Sequence, residues 1–264
     1  MVALASSGPA RTMPWCRAVR MLALLLVAHA LPAAAASTEP EVGTAVLIKN
    51  KVIGKLADEE RQLKTGFRVH RNELLQTGPA AQAELKLDDN TKLALGPEAE
   101  LRLDEYAVAP EADTKTVALK ILKGTFRFLT GNTASESYKI ETPSATIGVR
   151  GTVLDIFIGP SGDTFVLLHQ GEVEVCSRTR TCRRHRDVGR VMHATLPGIV
   201  SQPMKWTAAL VPGVGVAQAF PFVGKRLAID PIRRLSPGAL MGGGKVLEQG
   251  GKTIERTLRK LTPF

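Results

Sequence analysis

Apolar and polar side chains alternate through most of the chain between Gly43 and Gly189. The alternation is most regular in three leucine pairs that recur every eight residues: Leu85/Leu87, Leu93/Leu95 and Leu101/Leu103. Because successive side chains of a strand point to opposite faces, each pair places two leucines on one face of a short strand. The pattern predicts an all-β body of short antiparallel strands. To bury those faces, the strands must stack as a β-roll or solenoid-like body, or pack as a β-sandwich.

Shorter segments within this body carry their own predictions. Ala45–Lys55 has apolar residues on both sides of Asn50-Lys51, which predicts a hairpin. Ala57–Lys64 is the segment of the body most compatible with a helix, although it also fits a polar loop. At four places a glycine precedes an alternating strand start: Gly66, Gly124, Gly171 and Gly189.

The alternation changes phase once, between Glu141 and Asp155. Three apolar residues after Gly151 (Leu154, Ile156 and Ile158) have the opposite parity to Ile147 and Val149. Since side chains alternate strictly along a strand, the change requires one extra residue. Glycine accepts the backbone angles that bulges often need, so the sequence predicts a β-bulge within Gly148–Gly151.

Arg150 lies inside this predicted bulge, between two glycines. A guanidinium stays charged and offers five donors, so inside a β-body it needs carboxylate or carbonyl partners. One interpretation is structural, with Arg150 bonded to backbone carbonyls, to Asp155 or to Glu141. The other is functional, with Arg150 contacting a ligand such as a carboxylate or a sugar.

The N-terminal 36 residues have the pattern of a signal peptide. Arg11, Arg17 and Arg20 precede the apolar run Met21–Leu31, and small residues follow at Ala33–Ser37. The apolar run is shorter than the roughly 20 residues that cross a bilayer, which favours cleavage over an uncleaved anchor. We therefore expect residues 1–36 to be removed and the protein to be periplasmic or secreted.

Charge divides the remaining chain into a body, residues 37–203, and a tail, residues 204–264. The body carries 22 basic and 22 acidic side chains, whereas the tail carries ten basic and three acidic ones. The basic pI thus belongs to the tail, which argues against a nucleic-acid partner for the body.

The tail itself is predicted to be partly helical or disordered. Residues 206–224 carry no charge, but Pro212 and Pro221 weaken a spanning helix, so a buried extension or an apolar linker is favoured. Residues 252–261 fit a basic amphipathic helix that could rest on an anionic lipid surface or fray in solvent.

Two cysteines remain after the signal region, Cys176 and Cys182, and in an oxidising compartment they predict a disulfide; the alternative is two free thiols. The bridge would staple an arginine-bearing loop. The candidate binding residues in and after this loop are Arg178, Arg180, Arg183, Arg184 and Arg186.

The sequence offers no pattern for catalysis, a cofactor or a metal. Gly242–Lys245 lacks the first glycine and the final Ser or Thr of a phosphate-binding loop. The histidines lack metal-ligand spacing, and no catalytic triad order is present. We therefore predict that the protein is not an enzyme.

Several motifs resemble the FecR domain family of bacterial envelope proteins, over about residues 43–196. They are Leu75–Leu85, Asp89–Leu93, Leu122–Arg127, Thr142–Thr152 and Gln170–Val175. The resemblance implies an envelope module without known catalysis. It also implies that the family-motif residues are architectural: Thr142, Pro143, Gly148, Arg150, Gly151 and Thr152.

The best-known FecR members place this module after a membrane helix and a cytoplasmic anti-sigma segment. Here only residues 1–20 precede the apolar run, so we do not carry sigma-factor regulation over. The leading hypothesis is a non-catalytic envelope module acting in protein–protein interaction or envelope signalling, with an envelope protein as partner. The alternatives are a cell-wall or polysaccharide-binding module and a membrane-associated adaptor using the basic tail. The sequence does not predict an oligomeric state.

Overall fold

The computed structural model describes residues 39–107, 116–131 and 138–241. The predicted signal peptide and the predicted helix at 252–261 lie outside these residues. The strands are β1 (Glu41–Lys49), β2 (Val52–Leu56), β3 (Glu59–Gln62), β4 (Arg68–His70), β5 (Leu74–Thr77), β6 (Gln82–Leu87), β7 (Lys92–Leu95), β8 (Glu100–Ala107), β9 (Thr116–Leu129), β10 (Tyr138–Glu141), β11 (Ala145–Ile158), β12 (Thr164–Ser177), β13 (Cys182–His185) and β14 (Val191–Ala194). The helices are α1 (Val216–Ala219) and α2 (Pro237–Met241). The predicted all-β class is confirmed.

In the described part of the chain the strands form one 14-stranded sheet. Its main path runs β13-β12-β11-β10-β9-β7-β6-β1-β4, and β14 pairs with β12 beside β13. A second branch leaves β9 through β8 and continues to β5, β2 and β3. β9 and β10 are parallel, while the pairs on either side of them are antiparallel.

The sheet forks at Gly124, in the middle of β9. Before Gly124, β9 lies between β8 and β10; after it, β9 lies between β7 and β11. Gly124 has φ +94°, and a Cβ there would lie 2.5 Å from the Cα of Ala99. Glycine is therefore required where the two branches separate.

Both branches bury their apolar residues in one contiguous core. Val52 and Leu75 come from one branch, Ala45 and Leu85 from the other, and all four belong to the same cluster. The sheet therefore curls around this core, which is closer to the predicted roll than to two separate sheets. All six leucines of the eight-residue pattern are buried. The strands are less uniformly short than predicted, because β9, β11 and β12 each span 14 residues.

Two local predictions were wrong. Ala45–Lys55 is not a hairpin: β1 pairs with β4 and β6, whereas β2 pairs with β3 and β5. Asn50, with φ +59°, instead carries the chain from one branch to the other. The second segment, Ala57–Lys64, is not a helix, because its residues Glu59–Gln62 form strand β3. Each residue of β3 has an antiparallel partner in β2, so pairing with β2 satisfies backbone groups of this segment.

The predicted bulge in β11 is confirmed. The pairing with β12 shifts register between Arg150 and Val153, and Gly151 has φ +57°. The apolar residues on the two sides of the shift all belong to the main core: Ile147, Val149, Leu154, Ile156 and Ile158. The four glycines that precede alternating segments also share a positive φ, between +76° and +94°.

The C-terminal segment, defined here as residues 204–241, packs on the outer side of the sheet. Trp206 and Phe220 form an aromatic cluster with Phe157 and Phe165, with ring centroids 5.2 to 6.4 Å apart. Phe222, Leu227 and Ile229 cover Ala94, Leu129 and Val153 in a second cluster. Of the two interpretations of the uncharged stretch, the structure thus shows the buried extension. Neither described helix has the length and apolar character to span a membrane.

Candidate functional site

The pairing of β11, β12 and β13 brings two groups of predicted site residues onto one exposed face. Arg150 of the family motif lies opposite Glu172 of β12, and Glu174 lies opposite Arg184 of β13. We call this surface the arginine face and define it as Arg150, Glu172, Glu174, Arg184 and Arg186.

Ion pairs cross the arginine face between strands. Arg186 donates to one oxygen of Glu172 at 3.0 Å, and its Nε lies 2.9 Å from the other oxygen. Arg184 lies 3.5 Å from Glu174 and 3.8 Å from Glu172. The hydrogen bond from Arg186, with the charges of Arg186, Arg184 and Arg150, holds the pKa of Glu172 below its usual value. The side chains of Arg184 and Arg186 are 67% and 66% exposed, so these pairs are open to exchange with a partner's charges.

Arg150 does not make the predicted internal bonds. Its side chain is exposed, and no hydrogen bond or ion pair joins it to Asp155 or Glu141 in the described part of the chain. Asp155 is occupied by Arg127, and Glu141 by Lys139. Arg150 shares the outer face of β11 with Gly148, because the register shift comes after it, so in the described part of the chain its side chain does not make the predicted internal bonds.

The other candidate arginines surround the face. Arg178 donates to the carbonyl of Pro143 at 3.2 Å, and Arg183 donates to the carbonyl of Val200 at 2.8 Å. Arg180 is exposed at φ +64° in the turn between β12 and β13. The predicted disulfide is confirmed, since Cys176 and Cys182 are bridged directly across the two strands. The disulfide therefore fixes the strand that carries Arg183 and Arg184.

Thr152 locks the bulge beneath Arg150. Its hydroxyl donates to the carbonyl of Glu172 at 2.8 Å and accepts from the backbone N–H of Arg150 at 3.0 Å. Its own N–H donates to the hydroxyl of Thr130 at 2.8 Å. These bonds tie the bulged strand to both neighbours and support an architectural role for the motif.

The start of the family motif is tied in by hydroxyl groups. The hydroxyl of Thr142 accepts from the N–H of Ala145 at 2.9 Å and from Thr164 at 2.7 Å. Ser144, which is fully buried, lies 2.7 Å from the Thr164 hydroxyl and 2.9 Å from the carbonyl of Ala194. The entry to β11 is thereby held against β12 and β14.

His185 closes the far end of β13. Its Nδ1 accepts from the N–H of Asp187 at 3.3 Å, which places the proton on Nε2, 3.0 Å from the carbonyl of Arg190. Burial lowers the pKa of His185, although the Arg190 carbonyl and the Asp187 charge act in the opposite direction. Folding therefore favours the neutral form of the His185 ring.

A second charged site, which the sequence did not indicate, lies beyond the bulge of β11. We call it the buried ion cluster and define it as Arg127, Asp155, His169, Asp230 and Arg234. Arg127 and Asp155 are each 1% exposed and form a bidentate pair, with distances of 2.6 and 2.8 Å. His169 Nε2 lies 3.0 Å from both partners.

The C-terminal segment completes the buried ion cluster. Asp230 lies 3.7 Å from Arg127 and accepts from Arg234 at 3.1 and 3.3 Å. Arg234 also donates to Gln170 at 2.7 Å, and the Phe222 ring lies 5.9 Å from the Arg127 guanidinium. The segment therefore supplies both charge and apolar cover.

Electrostatics hold the cluster in one protonation state. Burial pushes the pKa of Asp155 up, but the charges of Arg127 and His169 outweigh it and lower the pKa from 3.8 to about 2. Burial lowers the pKa of His169 despite the opposing effect of Asp155. Burial also acts to lower the pKa of Arg127, but Asp155 and Asp230 raise it overall. Asp155 is therefore ionised and Arg127 charged at neutral pH.

The cluster had a weak sequence signal. Arg127 lies between two phenylalanines and Asp155 between two aliphatic residues, so each interrupts an apolar run. In the sheet they are direct cross-strand neighbours of β9 and β11. The geometry is that of a structural ion pair. In the described residues no group of three or more His, Cys, Asp or Glu is placed to hold a metal ion.

Comparison with known proteins gives one family match. The model for FecR protein matches residues 73–174, which confirms the resemblance over that range and includes the bulge and most of the paired part of β12. Two crystal structures of a candidate anti-sigma factor from Parabacteroides distasonis ATCC 8503 are similar to this chain, each with 14% identity and a TM-score of 0.41. Each alignment covers 72% of this chain and 91% of that chain. No curated protein matches.

Proposed function

We propose that this chain is a non-catalytic FecR-type module of the bacterial cell envelope that regulates signalling by binding a protein partner through its arginine face. We further propose that residues 1–36 are a signal peptide and that the module acts in the periplasm or outside the cell. The observation that carries the proposal is the strand register, which places the family's bulge and the arginine strand on one exposed, cross-linked surface.

The chemistry of the face favours a protein partner with acidic groups. Arginine presents a planar fork that suits bidentate recognition of carboxylates, and exposed ion pairs contribute little to folding. The face is also pre-organised, because the disulfide and the bonds of Thr152 fix its strands. A rigid surface loses little conformational freedom when a partner binds.

The charged groups of this body support a binding role rather than catalysis. The buried carboxylate of Asp155 is paired with Arg127 and His169, and the half-buried carboxylate of Glu172 is paired with arginines. A general acid or base needs a proton that it can exchange at working pH. An ion-paired Asp155 with a pKa of about 2 does not meet that need.

The two alternative functions stay predictions. A polysaccharide site would use exposed aromatic rings, and among the described residues Phe67, at 39%, is the aromatic side chain that is clearly exposed. Binding to anionic lipid depends on residues 252–261, which the structure does not describe. The following crosslinking experiment distinguishes both alternatives from a protein partner.

The test is site-specific photo-crosslinking in intact cells. A photoreactive side chain replaces Gly148, where a Cβ would meet nothing closer than the Glu174 carbonyl at 4.0 Å. The matched control carries the same side chain at Phe67, far from the arginine face in the strand order. We expect one discrete protein adduct from position 148 and none from 67. We also expect Arg184→Glu to abolish the adduct.

Three outcomes would contradict the proposal. Equal adducts from both positions would indicate non-specific contact. A ladder of glycan-sized adducts would favour the polysaccharide alternative, and lipid adducts would favour the membrane adaptor.

Export is tested separately by sequencing the N-terminus of the purified protein, which we expect close to Ser37.

A further inference from the structure

We infer that the arginine face continues into an open sheet edge on β13, and that this edge accepts an extended acidic segment of the partner as an added strand. The inference rests on the proposed function and deepens it, because it specifies the shape and charge of the bound segment. The observation behind it is a short edge strand with outward backbone groups and arginines on both sides.

The pairing of β13 fixes which backbone groups point outward. The N–H of Ser177 donates to the carbonyl of Thr181 at 2.9 Å, whereas the next pair, Cys176 and Cys182, has a Cα–Cα distance of 3.9 Å. In an antiparallel ladder hydrogen-bonded and closer non-hydrogen-bonded pairs alternate. The N–H and C=O groups of Cys182 and Arg184 therefore point away from β12.

These outward groups are accessible. Within the described ranges, β13 pairs with β12 alone, and the backbone groups of Cys182 and Arg184 bond to no other element. Both residues are exposed. The disulfide holds β13 against β12 in its extended form, so the edge is already ordered before another strand pairs with it.

The neighbouring strand on the same edge shows what a closed edge looks like. β14 pairs with β12 next to β13, and its outer side is capped by bridges from Val191 to Met204 and from Ala194 to Val200. Proteins normally cover or blunt their sheet edges. The outer side of β13 is not covered in the described part of the chain, but its shortness and positive charge discourage neutral or basic strands, which leaves an acidic strand as the favourable one.

Charge selects the occupant. Arg183 and Arg184 lie within the strand, Arg186 follows it, and Arg180 precedes it in the turn. An acidic extended segment complements Arg180, Arg184 and Arg186, whereas Arg183 already donates to the carbonyl of Val200 at 2.8 Å. A second copy of this chain fits poorly, because antiparallel pairing of two β13 strands would place their arginines opposite one another.

The experiment uses the mature chain and a defined probe. The probe is a short capped peptide of alternating threonine and glutamate, compared with the same peptide methylated on every backbone nitrogen. Methylation keeps the charge and removes the donors. Binding is measured by fluorescence anisotropy, and amide exchange of β13 is measured by NMR.

We expect the unmodified peptide to bind and to slow exchange at the amides of Cys182 and Arg184. We expect the methylated peptide to bind at least about tenfold more weakly, as the loss of two or more backbone hydrogen bonds implies. Arg184→Glu should abolish binding, whereas the matched charge change Lys51→Glu, on an exposed turn away from β13, should leave it unchanged.

Several results would overturn the inference. Equal affinity for both peptides would show that charge alone is recognised, and protection confined to other strands would place the site elsewhere. Slower exchange at Cys182 and Arg184 with phosphatidylglycerol vesicles but not with the peptide would assign the edge to lipid. If crosslinking from position 148 still depends on Arg184 while no peptide pairs with β13, this inference fails and the proposed function stands. If crosslinking fails, the proposed function fails whatever the peptide does.

Discussion

The arginine face and the buried ion cluster share two strands, β11 and β12, and lie on either side of one bulge. Before the bulge, β11 and β12 expose Arg150 and Glu174 and leave Glu172 half-buried. After it, the same strands bury Asp155 and His169 under the C-terminal segment. The residue types are similar, but their surroundings differ. Cover by residues 204–241 thus decides which charges are structural and which are available.

The difference has an energetic basis. Exposed ion pairs contribute about 0–1 kcal/mol, because water and salt screen them. Breaking a buried pair by removing one partner costs about 3–5 kcal/mol, because the remaining charge is left in a medium that solvates it poorly. We therefore expect mutations in the cluster to act on folding and mutations in the arginine face to act on binding.

The largest contrast should come from removing one carboxylate charge on each side of the bulge. Asp155→Asn leaves Arg127 buried with only the more distant Asp230, so we expect a loss of about 3–5 kcal/mol in the free energy of unfolding. The matched change Glu174→Gln should cost less than about 0.5 kcal/mol. Urea denaturation of the two variants measures both. Equal effects would erase the distinction between the two regions.

The bulge that separates the regions can be tested through its two glycines. Gly171 has φ +86°, and a Cβ there would lie 2.4 Å from the carbonyl oxygen of Gly151. Gly151 has φ +57° and open space around it. We expect Gly171→Ala to cost about 2–4 kcal/mol, from strain plus collision, and Gly151→Ala about 1 kcal/mol, from strain alone.

Thermal unfolding of the two alanine variants provides the measurement. A reversed order would show that contact with the neighbouring backbone is not what fixes the bulge. If neither substitution changes the melting temperature, the register shift between Arg150 and Val153 does not depend on these glycines.

The sequence predicted the bulge and missed the cluster for a physical reason. A phase change is a local property, since each residue's face follows from its neighbours. The pairing of Arg127 with Asp155 and His169 joins residues 28 and 42 positions apart, and no local pattern encodes that separation. A charge inside an apolar run was the available signal, and it did not identify the partner.

The same limit explains the other errors. Asn50-Lys51 correctly marked a turn, but turn chemistry does not say which strands pair after it. Alternation with Ile147 and Val149 places Arg150 on the outer face, but no local pattern shows that this face stays uncovered at Arg150 and is covered at Asp155. The sequence could therefore predict which positions are irregular, but not which charges are buried.

Acid should affect the buried side before the exposed side. The pKa of Asp155 is lowered in the folded state, so its contribution is complete above its unfolded value near 4 and is lost as pH falls towards 2. That shift corresponds to about 2 kcal/mol. The pKa of His169 is lowered too, so the unfolded chain takes up a proton below about pH 6.5 that the folded His169 resists.

We expect stability to fall in two stages on acidification, beginning near pH 6.5 and continuing below about pH 4. His169→Gln should flatten the first stage. His185→Gln should flatten the same stage independently, because burial also lowers the pKa of His185 and its ring lies outside the cluster. Urea titrations across this pH range measure both. A profile for His169→Gln parallel to the wild type would remove His169 from the account.

The smallest effect on folding should come from Arg150→Lys, and here the two interpretations of Arg150 diverge most. An internal tie would lose its bidentate geometry and lower the melting temperature. Since the side chain is exposed, we expect a change of less than about 0.5 kcal/mol. Lysine keeps the charge beside Glu172 but not the planar fork, so crosslinking from position 148 should weaken while stability does not. A fall in melting temperature close to that of Asp155→Asn would contradict this expectation and show that Arg150 stabilises the fold. The binding site would then be confined to β13.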